Sequence, residues 1–408
     1  MLGVSSSPGR GYKVTGLDKH TYPSLISAGN DLNKIVRTEY ADSLYAHLAS
    51  EAIEAWRSDS VFNSHFHQTG WLVCTSDKQS PTAQNLIYKP YEILKQTDLK
   101  DKIKLINTPE EILEYTPQLQ QAYDNGNIKD WIGMWNSNNG WCMARDAVRA
   151  ACDEAQSLGV EFRSGDNGTV IDIDKDERGA IITCKDGSVH HADYAILCAG
   201  AWADTLIDLE GSCTARCWTV GHIQLSPDEA KLFENMPIVD HSDLGFFFEP
   251  SIDGKIKFAN AFPGYTNYQH LPSTDRYTSL PSDIKFKVTN EAFEALIKFK
   301  DTILPQFASK KLIDTMVCWC LDSDDGNWII DFYKNNEKLL VASGDSGMAF
   351  KFLPTIGKYI SDALEKKLSS DKYDAWRWRQ MKKERDNTRP GGDSKDLQDF
   401  PEWASGVK

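Results

Sequence analysis

Ser343-Gly344-Asp345-Ser346-Gly347-Met348-Ala349-Phe350-Lys351-Phe352-Leu353-Pro354 is the stretch on which the fold turns. It is a glycine-rich turn that follows a strand-like run, Lys338 to Ala342, and leads into a helix expected over Ile356 to Leu368. The free N–H groups and dipole at such a helix start favour a partly negative ligand atom, and Lys351 adds a full positive charge beside them. Strand, glycine-rich turn and helix in that order form one unit of a nucleotide-binding α/β fold.

Upstream of this unit lie a strand over Trp328 to Phe332 and a Cys318-Trp319-Cys320-Leu321-Asp322 run. From Cys217 to Phe262 the pattern alternates, with strands expected over Trp218 to Leu225, Gly245 to Glu249 and Lys255 to Phe258, and turns at Pro250 and Asp253-Gly254. That is a half-buried antiparallel sheet of the kind that walls a substrate pocket. Before it come Thr169 to Ile173, Ala180 to Cys184, a Lys185-Asp186-Gly187 hairpin turn, Ser188 to His190 and a buried strand over Tyr194 to Cys198. Helical spacing of apolar residues predicts helices over Tyr40 to Asp59 and Met143 to Leu158, and Tyr12 to Leu17 reads as a short strand ending in Asp18. The fold class is therefore α/β: a nucleotide-binding domain built from residues 1–60, 140–210 and 315–408, interleaved with an antiparallel-sheet substrate domain from residues 61–139 and 211–314.

The 408 residues are enough for two such domains. A net charge of -14 argues against nucleic acid and anionic membrane as partners. The nine cysteines have no regular spacing, so a reducing compartment and buried thiols are expected rather than a disulfide framework. No apolar run reaches the ~18 residues of a membrane span, the first residues lack a signal-peptide core, and Ser405-Gly406-Val407-Lys408 is not a peroxisomal address, so a cytoplasmic location is expected. No metal site is expected, and the chain is expected to be a monomer.

Three groups of residues carry chemistry. Asp18, at the end of its strand, is placed to accept from ribose hydroxyls of a dinucleotide, or simply to close a turn. A Gly-x-Gly-x-x-Gly turn before it would decide between these, but the seventeen preceding residues contain neither an apolar strand nor that fingerprint. The run Ser27-Ala28-Gly29-Asn30-Asp31-Leu32-Asn33-Lys34-Ile35 either lets the backbone approach a ligand, with Lys34 as its cation, or caps a helix. Leu197-Cys198-Ala199-Gly200-Ala201-Trp202-Ala203 ends a buried strand in small residues, a signal for close packing.

Together Ala28 to Ile35, Leu197 to Trp202, Gly245 to Pro250, Phe262 to Tyr265 and Ser343 to Gly357 resemble successive motifs of the fungal amadoriases, or fructosyl amino acid oxidases, relatives of monomeric sarcosine oxidase among the FAD-dependent amine oxidases. The resemblance covers roughly residues 11 to 400. It implies oxidation of the secondary amine of a small-molecule substrate, FAD as cofactor, oxygen as acceptor and hydrogen peroxide as product. It implies covalent flavin at Cys318, thirteen residues before Asp331 as in that family, with Cys320 a packing neighbour. Asp18, Asn33, Lys34, Val170, Ala201, Trp202, Ser346, Gly347, Phe350 and Lys351 match cofactor-binding positions. Lys257 matches the lysine that faces flavin N5 and assists oxygen reduction, with a solvent-facing position in its alternating strand as the other reading. Arg389 matches a catalytic, carboxylate-holding position, and Lys351 and Ala261 match substrate-binding ones.

Two departures stand out. The family's Asp-Glu-Phe-Pro-Gly is Asn260-Ala261-Phe262-Pro263-Gly264 here, so an acid that binds substrate is replaced by alanine and the substrate is expected to differ. Saccharopine-, pipecolate- or sarcosine-type amines are the alternatives to a fructosyl amino acid. The missing fingerprint implies a misassigned first exon, a splice form or a deletion, and raises the alternative of a non-catalytic chain that cannot bind FAD. An NAD-dependent dehydrogenase fits the cysteine and glycine-lysine motifs less well.

Overall fold

The computed structural model describes residues 10–260, 264–271, 275–379 and 394–404. Helix Ser43–Ser58 shows how the sequence builds it locally. The Asp42 side chain accepts from the Leu44 N–H at the helix start, and Arg57 lies in the last turn. Buried Tyr45, Leu48, Ala49, Ala52, Ile53 and Trp56 recur at three- and four-residue spacing, forming one apolar face. That face packs on Trp328, Ile330, Leu340, Phe352, Tyr359 and Trp376. Its two polar tips are used: the Tyr45 hydroxyl accepts from Trp376 Nε1 at 3.2 Å, and Trp56 Nε1 donates to the Lys351 carbonyl at 2.7 Å. The helix thereby fixes the backbone of the glycine-rich turn region.

The largest sheet has ten strands and is mainly antiparallel. Its long centre is Cys213–Gln224, paired with Lys255–Asn260 on one side and with Ile313–Ser323 on the other. Beyond Lys255–Asn260 the order continues through Gly245–Phe247, Ile238–His241, Trp71–Thr75, Ile132–Asn136 and Ile103–Ile106. Gly245 is needed at its bend: its φ is 138°, and a Cβ there would meet the Ala259 carbonyl oxygen at 2.1 Å.

The parallel strands do not form one sheet. Thr15–Leu17 pairs in parallel with Glu161–Arg163, while Ala195–Leu197 pairs in parallel with Asn336–Ser343, whose other neighbour is Ile329–Tyr333. Among the described residues these two groups share no ladder. Helix Ala144–Ser157 and helix Ile356–Leu364 turn small or apolar residues (Val148, Ala151, Ala155; Ile356, Ile360, Leu364) toward the space between them.

The expected helices and strands are present with shifted ends. Helix Ile356–Leu364 stops short of Leu368 because Lys366 adopts φ 57° and the Lys366 and Lys367 N–H groups turn back to Ala363 and Asp362 carbonyls. The glycine-rich turn leads first into a 3₁₀ turn, Ala349–Phe352, before that helix begins. Among the described residues no helix is long and apolar enough to cross a membrane.

Trp56→Ala should lower stability by about 3–5 kcal/mol in a urea titration, through loss of a fully buried aromatic, whereas Trp56→Phe should lose only the ~0.5–1.5 kcal/mol of the N–H to Lys351 bond. Equal losses in the two variants would refute this division.

Candidate active site

A cavity of about 2210 Å³ lies between the two parallel groups and runs on over one face of the antiparallel sheet. Alternation puts Trp218, Val220, Lys257, Ala259, Cys318 and Cys320 on that face, since Trp218 is opposite Cys318 and Val220 is opposite Ala259. The glycine-rich turn closes the site from one side. The Asp345 carboxylate accepts from the N–H groups of Leu321 at 2.9 Å and Gly347 at 2.7 Å, and the Ser346 N–H donates to the Leu321 carbonyl at 3.0 Å. Ser346 and Gly347 take left-handed φ of 46° and 68° to make these bonds. The turn is thus tied to the strand that carries Cys318.

At the centre is a four-member charged cluster. One oxygen of Asp31 accepts from both Lys34 Nζ and Lys257 Nζ, each at 2.6 Å. Lys257 is 1% exposed, so its side chain points inward rather than to solvent, and it also donates to the Asn33 carbonyl at 2.9 Å. Lys34 Nζ is 3.6 Å from Cys318 Sγ. Burial works to raise the Asp31 carboxyl, but Lys257 and Lys34 outweigh it and hold the pKa well below the usual range. Burial works to lower Lys34, but Asp31 and Cys318 outweigh it and raise its pKa. For Lys257 burial prevails over the shared carboxylate, and its pKa falls. The Cys318 thiol is held below its ordinary value, first by a hydrogen bond from Cys320, and against burial by the Lys34 charge. Two lysines, one carboxylate and one thiolate make the cluster neutral overall. By contrast, burial raises the thiols of Cys74, Cys142, Cys213 and Cys217.

The cavity brings the candidate residues together. Asp18 and Val170 line its outer end, where the Asp18 carboxylate accepts from the His20 N–H at 2.8 Å. Ala201 and Trp202 line its flank, and Asn33, Lys34, Lys257, Cys318, Ser346, Gly347, Phe350 and Lys351 line its centre. Asn33 is fully buried with neither side-chain amide atom bonded to protein. Lys351 Nζ donates to the Met348 carbonyl at 2.8 Å and sits 5.4 Å from the Tyr40 ring centre. Ala261 and Arg389 lie outside the described residues. Among the described residues no group of side chains is arranged to hold a metal ion.

Two further residues in the cavity wall escaped the sequence reading. Arg37 stacks its guanidinium over Tyr40 at 4.8 Å and Trp71 at 5.1 Å, and Asp240 projects from strand Ile238–His241. The role of Asp31 was also missed, although its place three residues before Lys34 was a usable signal for one of its two partners.

The family model described as "FAD dependent oxidoreductase" matches residues 7–363. The chain is 33% identical to L-saccharopine oxidase of Schizosaccharomyces pombe over 392 residues, covering 90% of this chain and 87% of that protein. It is similar to the modified fructosyl peptide oxidase of Aspergillus nidulans, with a TM-score of 0.89 and 33% identity over 96% of this chain and 93% of that one. It is also similar to the fructosamine oxidase Amadoriase II of Aspergillus fumigatus, with a TM-score of 0.82 and 29% identity over 96% and 91%.

In chain prepared free of flavin, iodoacetamide should modify Cys318 ahead of the buried thiols, at a rate already near its plateau at neutral pH, where an ordinary thiol of pKa about 8.5 is mostly protonated. Peptide mapping across pH tests this, and Cys320→Ala, which removes the donor, should move the rise in rate to higher pH. A profile that rises only above pH 8 in the unaltered chain would contradict the thiolate assignment. Asp31→Asn leaves two lysines without their shared counter-charge and should cost about 3–5 kcal/mol by urea unfolding. A loss below ~1 kcal/mol would show that the cluster carries little of the stability.

Proposed function

The chain belongs to the FAD-dependent oxidoreductase family, and on that premise we propose that it oxidises a carboxylate-bearing secondary amine, with FAD held covalently at Cys318 and oxygen as the electron acceptor. The observation that carries this reading is the Cys318 sulfur 3.6 Å from Lys34 Nζ, on a cavity-lining sheet face shared with buried Lys257. The residues fit the cofactor. Asn33 offers an unbonded amide donor and acceptor to a polar ring edge, the thiolate offers a point of attachment, and Asp18 stands at the outer end for a ribose. FAD bound there would supply two-electron oxidation of the substrate's carbon–nitrogen bond, with oxygen as the final acceptor and hydrogen peroxide as its product.

The protein's own groups do the rest. Lys257, held by Asp31 in a nearly water-free position, supplies a fixed positive charge where oxygen becomes negative, and such a charge acts far more strongly there than in water. Arg37, stacked on two rings, can grip a substrate carboxylate through two N–H groups, and by the amadoriase resemblance Arg389 and Lys351 share that task. Trp71, Trp218, Phe246 and Phe248 exclude water from the amine, which binds neutral and needs no side-chain base. Asn260-Ala261 in place of two acids favours an acidic amine over a sugar, and similarity to L-saccharopine oxidase supports a substrate of the saccharopine type.

One observation favours a second reading, that this chain folds without retaining FAD: among the described residues the parallel pair Thr15–Leu17 with Glu161–Arg163 shares no ladder with the pair Ala195–Leu197 with Asn336–Ser343.

Acid precipitation of the purified chain separates the two. The oxidase reading expects a yellow pellet absorbing near ~450 nm, no colour with Cys318→Ser, colour kept with Cys320→Ser, and peroxide release on adding L-saccharopine. A colourless soluble protein that releases no peroxide would overturn it.

A further inference from the structure

We propose that Cys318 and Cys320 form a peroxide-oxidisable pair: in chain that carries no flavin, a hydroperoxide oxidises Cys318, and Cys320 captures the product as a disulfide that thiols reopen. The proposal goes beyond the oxidase reading and does not depend on its substrate. Alternation along strand Ile313–Ser323 puts the two sulfurs on one face, since Cys318 is opposite Trp218 and Cys320 is opposite Arg216 in the neighbouring strand. Both line the cavity, so a small solute reaches them from the same side. All nine cysteines are free thiols. Cys318 Sγ has Lys34 Nζ at 3.6 Å and a hydrogen bond from Cys320, which together favour the thiolate, the form that attacks peroxide. Other partners are less well placed. Cys217 is opposite Trp319 and so takes the other face of the sheet, and Cys142 is fully buried with its Sγ donating to the Lys34 carbonyl.

The chemistry balances within the pair. The Cys318 thiolate attacks one peroxide oxygen, an S–O bond forms as the O–O bond breaks, and the other oxygen leaves as hydroxide or alkoxide. The Cys320 sulfur then attacks the Cys318 sulfur, the S–S bond forms, the S–O bond breaks, and the Cys320 proton leaves with that oxygen as water. Two electrons pass from the sulfurs to the peroxide. A strand advances about 3.2–3.4 Å per residue, so the two Cα atoms stand about 6.4–6.8 Å apart, at the long end of the ~4.4–6.8 Å that a disulfide spans. Among the described residues this strand has a ladder on one side only, with Cys213–Gln224, so the Trp319 peptide can bow toward the other side and shorten the gap. A bond made at that limit is strained, and a strained disulfide is readily reduced. It keeps Cys318 from the sulfinic and sulfonic acids, which thiols do not reverse.

For the test, the full chain prepared free of flavin is treated with a small excess of hydrogen peroxide at neutral pH. The remaining thiols are blocked with iodoacetamide, and the tryptic peptides are analysed by mass spectrometry without reduction. The peptide of residues 312–334 contains these two cysteines and no others. It should become lighter by two hydrogens before any other cysteine is oxidised, and dithiothreitol should restore both. Cys320→Ala should abolish that product and leave Cys318 as a sulfenic acid, which dimedone traps and further peroxide carries to the sulfinic acid. Cys142→Ala should form the disulfide as the unaltered chain does. The proposal is overturned if Cys318 of the unaltered chain runs on to the sulfinic acid, bonds to Cys142 or Cys217, or is not oxidised ahead of the other cysteines. The oxidase reading is scored separately, by peroxide release on adding L-saccharopine.

Discussion

Everything at the centre of this molecule depends on one carboxylate oxygen shared by two lysines. Asp31 comes from a loop near the start of the chain and Lys257 from a strand 226 positions later, and Lys34 extends the contact to Cys318 on a third element. With two cations against one acid, the group has a surplus positive charge, and the thiolate of Cys318 balances it. That is why the two lysines shift in opposite directions. Lys34, with an anion on either side, holds its proton, while Lys257, buried and sharing Asp31 with Lys34, holds its proton less firmly than an ordinary lysine. Any reaction that consumes the thiolate restores the surplus charge, beside the sheet face where Lys257 points.

Much of the fold was legible because local signals agreed. Asp42, the Tyr45-to-Trp56 apolar spacing and Arg57 all report the same helix. The glycine-rich turn announced itself by composition, and its resemblance to the amadoriases brought in Cys318, Lys257 and Lys351. The strands Trp71–Thr75, Ile103–Ile106 and Ile132–Asn136 were not individually recognised. Buried on both faces, Trp71–Thr75 has no alternation to detect, and short apolar runs do not distinguish strand from helix.

The site was less legible than the fold for a different reason. Asp31 lies inside a run that had been singled out, but its second partner is remote in sequence, and no spacing rule finds such a pair. Asp240 is one acid among fifty-nine acidic residues, and only the cross-strand register shows that its neighbours on both sides are apolar. Arg37 carries no motif, and its meaning comes from two rings that the fold brings beneath it.

The division of the parallel strands has a consequence for the protein in a cell. A ligand that binds only the folded state shifts the folding equilibrium by mass action, by about 2.7 kcal/mol at a hundred times its dissociation constant. Here the cavity lies between Thr15–Leu17 and Ala195–Leu197, so an occupant touches both groups that the backbone leaves apart. A bound occupant therefore favours the folded chain, and its loss favours the unfolded chain that proteases cut.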